Sequence, residues 1–144
     1  MNRNSIRLLL LSSLLWHGVG TREAYGRDPQ VTVEQLLQTT QAWNGTEYTH
    51  HVTGQPQITI LRISIPPNSA LDWHEHPMIS AGYVLSGQIT LEMKRTGKRK
   101  TFHAGEALAE TVNAVHRGYT TQQPVELVVF YAGSVGLPLS IKAK

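Results

Sequence analysis

From residue 57 onward the chain is written as short apolar runs separated by turn residues, and no interval between them is long enough for a helical crossover. The runs cover residues 57–65, 71–76, 82–86, 88–94, 100–103, 107–111 and 125–132. Most are rich in the β-branched, aromatic and aliphatic residues that suit a half-buried pleated surface. Between them stand Pro66-Pro67-Asn68, Ser86-Gly87, Thr96-Gly97, Ala104-Gly105 and Gln123-Pro124, which punctuate a chain by backbone geometry. Strands this short and this regularly interrupted favour an all-β sandwich or barrel over a parallel βαβ sheet.

One helix is expected before the strands. Thr32 and Gln35 have capping-box spacing, and Val33, Leu36 and Leu37 share a face, so a short helix is predicted over residues 33–40. A length of 144 residues suits a single domain. The organisation expected is a signal peptide over residues 1–26, an N-terminal arm over 27–47 and the barrel domain over 48–144.

The signal peptide is read from a basic start, Arg3 and Arg7, followed by an apolar run from Leu8 to Trp16 that is too short to span a bilayer. Cleavage is expected after Ala24-Tyr25-Gly26, with Gly18-Val19-Gly20 as the alternative, giving a periplasmic or secreted protein. Cutting after Gly26 removes Arg3, Arg7, Arg22 and Glu23, so the net charge falls from +3 to about +1. Much of the basic character belongs to the export segment, and five of the remaining Lys and Arg crowd the hairpin tip Lys94-Arg95-Thr96-Gly97-Lys98-Arg99-Lys100. A short basic hairpin is a solvated turn before it is a phosphate-binding patch, so neither nucleic acid nor, after export, a membrane is an expected partner. With no cysteine, the chain has no disulfide framework, thiolate zinc site or lipoprotein anchor. Any metal must be held by histidine, carboxylate or water.

That restriction gives weight to Trp73-His74-Glu75-His76, because alternate side chains of a strand share a face and His74 and His76 therefore point together. An isolated H-x-H is as readily a pair of surface histidines, and a metal needs a third ligand from elsewhere. His50, His51 and His103 are read as structural, and Trp73, Tyr83, Phe130 and Tyr131 as core.

The sequence resembles the cupin superfamily over most of residues 57–132. His74 and His76 fit the first cupin motif, Gly87 in Tyr83-Val84-Leu85-Ser86-Gly87 stands where that motif closes, Gly105 opens the second, and His116 fits its histidine. The resemblance implies a cupin-type jelly-roll β-barrel holding one divalent metal ion through His74, His76 and His116. Iron(II), manganese, nickel, zinc and copper all suit such a donor set. Exposed strand edges further imply a homodimer.

Two departures from the motifs affect the expected chemistry. Thr111 and Asn113 stand where the second motif has Pro and Gly, and Asn tolerates the left-handed backbone that Gly would adopt. Ser80 occupies the usual position of the acidic ligand, leaving three neutral imidazoles plus water unless Glu110 restores an acid. Glu110 shares the parity of His116, but irregular backbone breaks parity, so an outward carboxylate is the competing reading. The resemblance allows a dioxygenase-like metal enzyme acting on a small anionic chelating substrate. A barrel that binds a small ligand or metal without chemistry is the alternative.

Overall fold

The computed structural model describes residues 31–49 and 52–144, of which Glu34–Lys144 form one compact unit. The signal-peptide segment, His50 and His51 lie outside the described residues. The unit is all-β, with strands β1 (Pro56–Ile65), β2 (His74–Glu75), β3 (Ile79–Met93), β4 (Arg99–His103), β5 (Ala107–Ala109), β6 (His116–Tyr119), β7 (Val125–Ser134) and β8 (Ile141–Lys142). They form one curled antiparallel sheet in the order β1-β7-β3-β6-β2-β8, with β4 and β5 also paired to β3.

The short helix expected over residues 33–40 is not formed: these residues carry no helical turn. Val33, Leu36 and Leu37, the whole of its apolar face, are exposed. A helix of two turns repays the cost of nucleation only when its apolar stripe finds a packing surface, and this one has none. The chain instead closes a turn in which the Asn44 side chain accepts the Thr46 N–H at 2.9 Å. Two bonds then fasten this segment to the strand region at β5. The Trp43 N–H donates to the Ala109 carbonyl at 2.9 Å, and the Tyr48 hydroxyl donates to the Glu110 carbonyl at 2.6 Å.

β3 explains how one sheet encloses a core. Its first half pairs with β5 and β7, and its second half with β4 and β6, so a single strand serves both walls. Ser86-Gly87, expected to be a turn between two strands, is instead the corner of this one. The register slips between Val84 and Ser86, and Gly87 follows at φ 72°. A bulge combined with a left-handed residue bends a strand and adds twist without ending it. A Cβ on Gly87 would lie 1.9 Å from the Pro124 carbonyl oxygen, so only glycine allows β7 to start this close.

Alternation fills the interior. Val125, Leu127, Val129 and Tyr131 of β7 are buried, meeting Val84, Ile89 and Leu91 of β3 with Phe102 and Leu108. Each fully buried aliphatic side chain contributes about 1.5–3 kcal/mol relative to an exposed one. The basic hairpin between β3 and β4 is solvated, as its composition suggested, with Lys94 to Arg99 all exposed. Beside it, Glu92 accepts from Arg99 Nε at 2.8 Å and from Arg117 Nε at 2.9 Å, tying β4 and β6 to opposite edges of β3.

Candidate metal centre

β2 and β6 pair antiparallel with His74 directly opposite His116, so two histidines distant in sequence become neighbours on one rung. His76 lies just past β2. The Asn113 N–H donates to its carbonyl at 2.9 Å, and Asn113 takes the left-handed conformation, φ 52°, that the turn before His116 requires. Ring centroids stand 4.9 Å apart for His74 and His76, 4.7 Å for His74 and His116, and 5.2 Å for His76 and His116. One ligand nitrogen from each ring lies within 4.8 Å of the others. His103 sits exposed on β4 and is not part of the group.

The rings are held in one orientation by the backbone. His74 Nδ1 lies 2.7 Å from the Asp72 carbonyl, His76 Nδ1 lies 2.6 Å from the Leu139 carbonyl, and His116 Nδ1 lies 2.9 Å from the Ala114 carbonyl. A carbonyl oxygen only accepts, so each Nδ1 carries the hydrogen, and each neutral ring keeps its lone pair on Nε2. Thr111 Oγ1, 3.0 Å from His116 Nδ1, braces the third ring. This arrangement, with the outer nitrogen donating to a fixed acceptor, is how proteins orient imidazoles toward a metal.

Glu110 lies beside the three histidines, against His116. It is buried rather than outward, with Oε2 lying 3.3 Å from His116 Nε2 and having no hydrogen-bond partner. The contact is close but poorly aligned for a hydrogen bond. Burial pushes His74 and His76 below the usual histidine range, which favours their neutral, ligating form. Burial acts the same way on His116, but the facing Glu110 carboxylate outweighs it and the net direction is upward. Conversely, burial alone would raise Glu110, and the three histidines, His116 foremost, bring it below the usual carboxylate range. Three inward lone pairs and a carboxylate repel one another in a desolvated pocket unless a cation stands among them, so the residues fit a divalent metal ion.

The histidines and Glu110 line a cavity of about 50 Å³ whose walls also include Ile63, Ile65, Leu71, Ile89, Leu127 and Val129. That is room for about four water-sized positions. Gly118 and Tyr131 also line it. A Cβ on Gly118 would lie 2.8 Å from Ile89 Cδ1, so the glycine keeps the space open. Tyr131, read from sequence as core, has its ring 5.6 Å from that of His76, and burial, then the Glu110 charge, pushes its phenol up to about 12. Its register partner in β3 is Ser80, which gives it this place, and strand alternation alone could not separate a cavity wall from a packed core. A larger open cleft of about 700 Å³ runs past Lys94, Arg95 and Lys98 and holds none of the histidines.

A family profile described as Cupin domain matches residues 61–131. No curated protein sequence matches the chain. Among solved structures, the fold resembles the DMSP lyase DddQ from Ruegeria pomeroyi, with TM-score 0.53 and 15% identity over 60% of this chain and 43% of that one. It resembles the polyketide cyclase RemF from Streptomyces resistomycificus, with TM-score 0.53 and 20% identity over 63% of each chain. A cupin-like protein from Thermotoga maritima aligns with TM-score 0.52 and 16% identity over 60% of this chain and 64% of that one. The chain spans less than two thirds of the length of each, and at these identities the likeness is one of fold. The family match, the curled antiparallel sheet and these neighbours together place residues 61–131 in the cupin family, as a small cupin-type domain.

Proposed function

We propose that this chain is an exported metal-dependent cupin, holding one divalent ion through His74, His76 and His116 and acting as a dioxygenase-like oxidoreductase on a small anionic ligand. The observation that carries the metal site is the set of three Nδ1–H donors locked on the carbonyls of Asp72, Leu139 and Ala114, which leaves three Nε2 lone pairs free in a group whose ligand atoms lie within 4.8 Å of one another. Bound there, the ion supplies a Lewis-acidic centre at which an anionic ligand and dioxygen can meet. The chain's own residues do the rest. The backbone carbonyls keep the imidazoles oriented, burial keeps His74 and His76 neutral, aliphatic side chains wall the cavity, and Tyr131 keeps its phenol proton to hydrogen-bond a ligand.

The cavity of about 50 Å³ limits the ligand to a handful of heavy atoms. The same size favours a second reading, a barrel that binds the metal or a small ligand without turnover. Oxygen consumption by the iron(II)-loaded protein across a panel of small carboxylates and enolates separates the two. Uptake with product formation supports the enzyme, and tight retention without product supports the binding protein.

Export rests on the basic start and apolar run of the first 16 residues. Mass spectrometry of the exported form beginning between about Thr21 and Arg27 supports it, and an intact Met1 overturns it. The outer face of β1, where Ile58 and Ile60 are exposed, is the surface on which a homodimer would form. Sedimentation as a monomer would exclude the dimer.

A further inference from the structure

We propose that the acidic ligand of this metal site has crossed one rung of the sheet, from position 80 on β3 to Glu110 beyond β5. This rests on the metal-binding reading above and adds a fourth protein ligand to it. The register of β3 against β5 runs Tyr83↔Ala107, Gly82↔Leu108 and Ala81↔Ala109. The next rung sets Ser80 opposite Glu110, and the Glu110 N–H does donate to the Ser80 carbonyl at 2.9 Å. Directly opposed residues share a face, with Cβ atoms about 5 Å apart. On its other side Ser80 is the register partner of Tyr131, so Glu110, Ser80 and Tyr131 form one row across the inner face. All three are buried.

Within this row the two polar atoms without partners are complementary in what they lack. Ser80 Oγ is buried and unbonded, a small hydroxyl where a longer side chain would be expected to reach the histidines. Glu110 Oε2 is buried and unbonded, and it already faces His116 Nε2 at 3.3 Å. A desolvated carboxylate oxygen without a donor costs several kcal/mol unless a cation neutralises it. An ion held by the three lone pairs would meet that requirement. The Tyr48 hydroxyl on the Glu110 carbonyl, at 2.6 Å, fixes the backbone from which the carboxylate reaches. A glutamate at position 80 would set two carboxylates side by side on one rung, which explains why a residue as small and neutral as serine stands there. The centre therefore carries a net charge of about +1 rather than the +2 of three neutral imidazoles alone.

Cobalt(II) bound to the full-length protein tests this, through its affinity against a competing chelator and its d–d absorption spectrum. Glu110→Gln should weaken cobalt binding by at least about tenfold and shift the spectrum, since a donor atom is lost. The exchanged pair Ser80→Glu with Glu110→Ser should recover most of that affinity, because the carboxylate returns from the facing position. Wild-type affinity in Glu110→Gln overturns the proposal. So does weakened binding with an unchanged spectrum, which would make Glu110 a residue that only positions His116. Should the exchanged pair not fold, Glu110→Gln decides by itself. His116→Ala separates the two levels of failure. If it binds cobalt as the wild type does, the metal site itself is wrong and the proposal falls with it, whereas if it alone loses cobalt, only the proposal falls.

Discussion

His74 of β2 and His116 of β6 stand directly opposite each other on one antiparallel rung, with ring centroids 4.7 Å apart and each Nδ1–H committed to a backbone carbonyl. The sheet thus gathers the rings before any ligand arrives: pairing fixes where they are, and the carbonyls fix which way they face. Preorganisation of this kind removes much of the entropic cost of assembling a metal site.

Replacing His74, His76 or His116 with Ala should lower the metal content of protein purified anaerobically by at least about tenfold. His103→Ala, on the exposed end of β4, should leave it unchanged. Elemental analysis of the four variants checks both halves, and metal loss in His103→Ala would mean that the cluster is wrongly drawn.

Metal should also stabilise the fold, because an ion that binds only the native state adds RT ln(1 + [M]/Kd). At a free concentration 100 times the Kd this is about 2.7 kcal/mol, or roughly 10 °C in Tm for a unit of this size. Thermal melts with and without metal should show the shift in the wild type and lose it in His116→Ala.

Two glycines with similar backbone angles should respond differently to alanine. Gly87 at φ 72° and Gly97 at φ 66° both pay about 1–2 kcal/mol for a left-handed Cβ. At Gly97 nothing lies within 4 Å of the added atom, whereas at Gly87 it meets the Pro124 carbonyl oxygen at 1.9 Å. Chemical denaturation should therefore place Gly87→Ala well below Gly97→Ala in stability.

Glu92 should make the protein acid-sensitive. Hydrogen bonds from Arg99 and then Arg117 hold its carboxyl below the usual carboxylate range in the folded state. A depressed folded pKa means stability that is fully present above the unfolded value, about 4.3, and is lost as pH falls through the folded value. The Tm advantage of the wild type over Glu92→Gln should thus be constant well above the unfolded value and shrink as pH falls below it. An advantage that persists undiminished at low pH would show that the carboxylate charge is not its source.

The all-β class was legible because turn residues recur at short intervals, and the face shared by His74 and His76 followed from the two-residue period of a strand. Asn113 was legible too, since only a few residues adopt the positive φ that its turn requires. The helix over 33–40 was misread because its capping and periodicity are local signals, while a helix this short depends on a partner surface that the sequence does not display. Ser86-Gly87 was misread as a turn for a related reason: a glycine at positive φ ends a strand or bends one, and the pairing of β3 with both walls decided for the bend.

By itself, then, the sequence determined the strand alphabet, the absence of thiol chemistry and the paired histidines, because each depends on residue identity or on neighbours a few positions away. Tertiary structure decided what those residues face. Parity could not be counted from Glu110 to His116 through the irregular backbone between them, so only the pairing of β5 with β3 turned the carboxylate inward. The acceptor for His76 is a carbonyl 63 residues away, at Leu139, and a backbone oxygen carries no signature in sequence. The same holds for the cavity wall at Tyr131 and for the space kept by Gly118, since a residue beside a void and one in a packed core follow the same alternation until the opposite wall is in place.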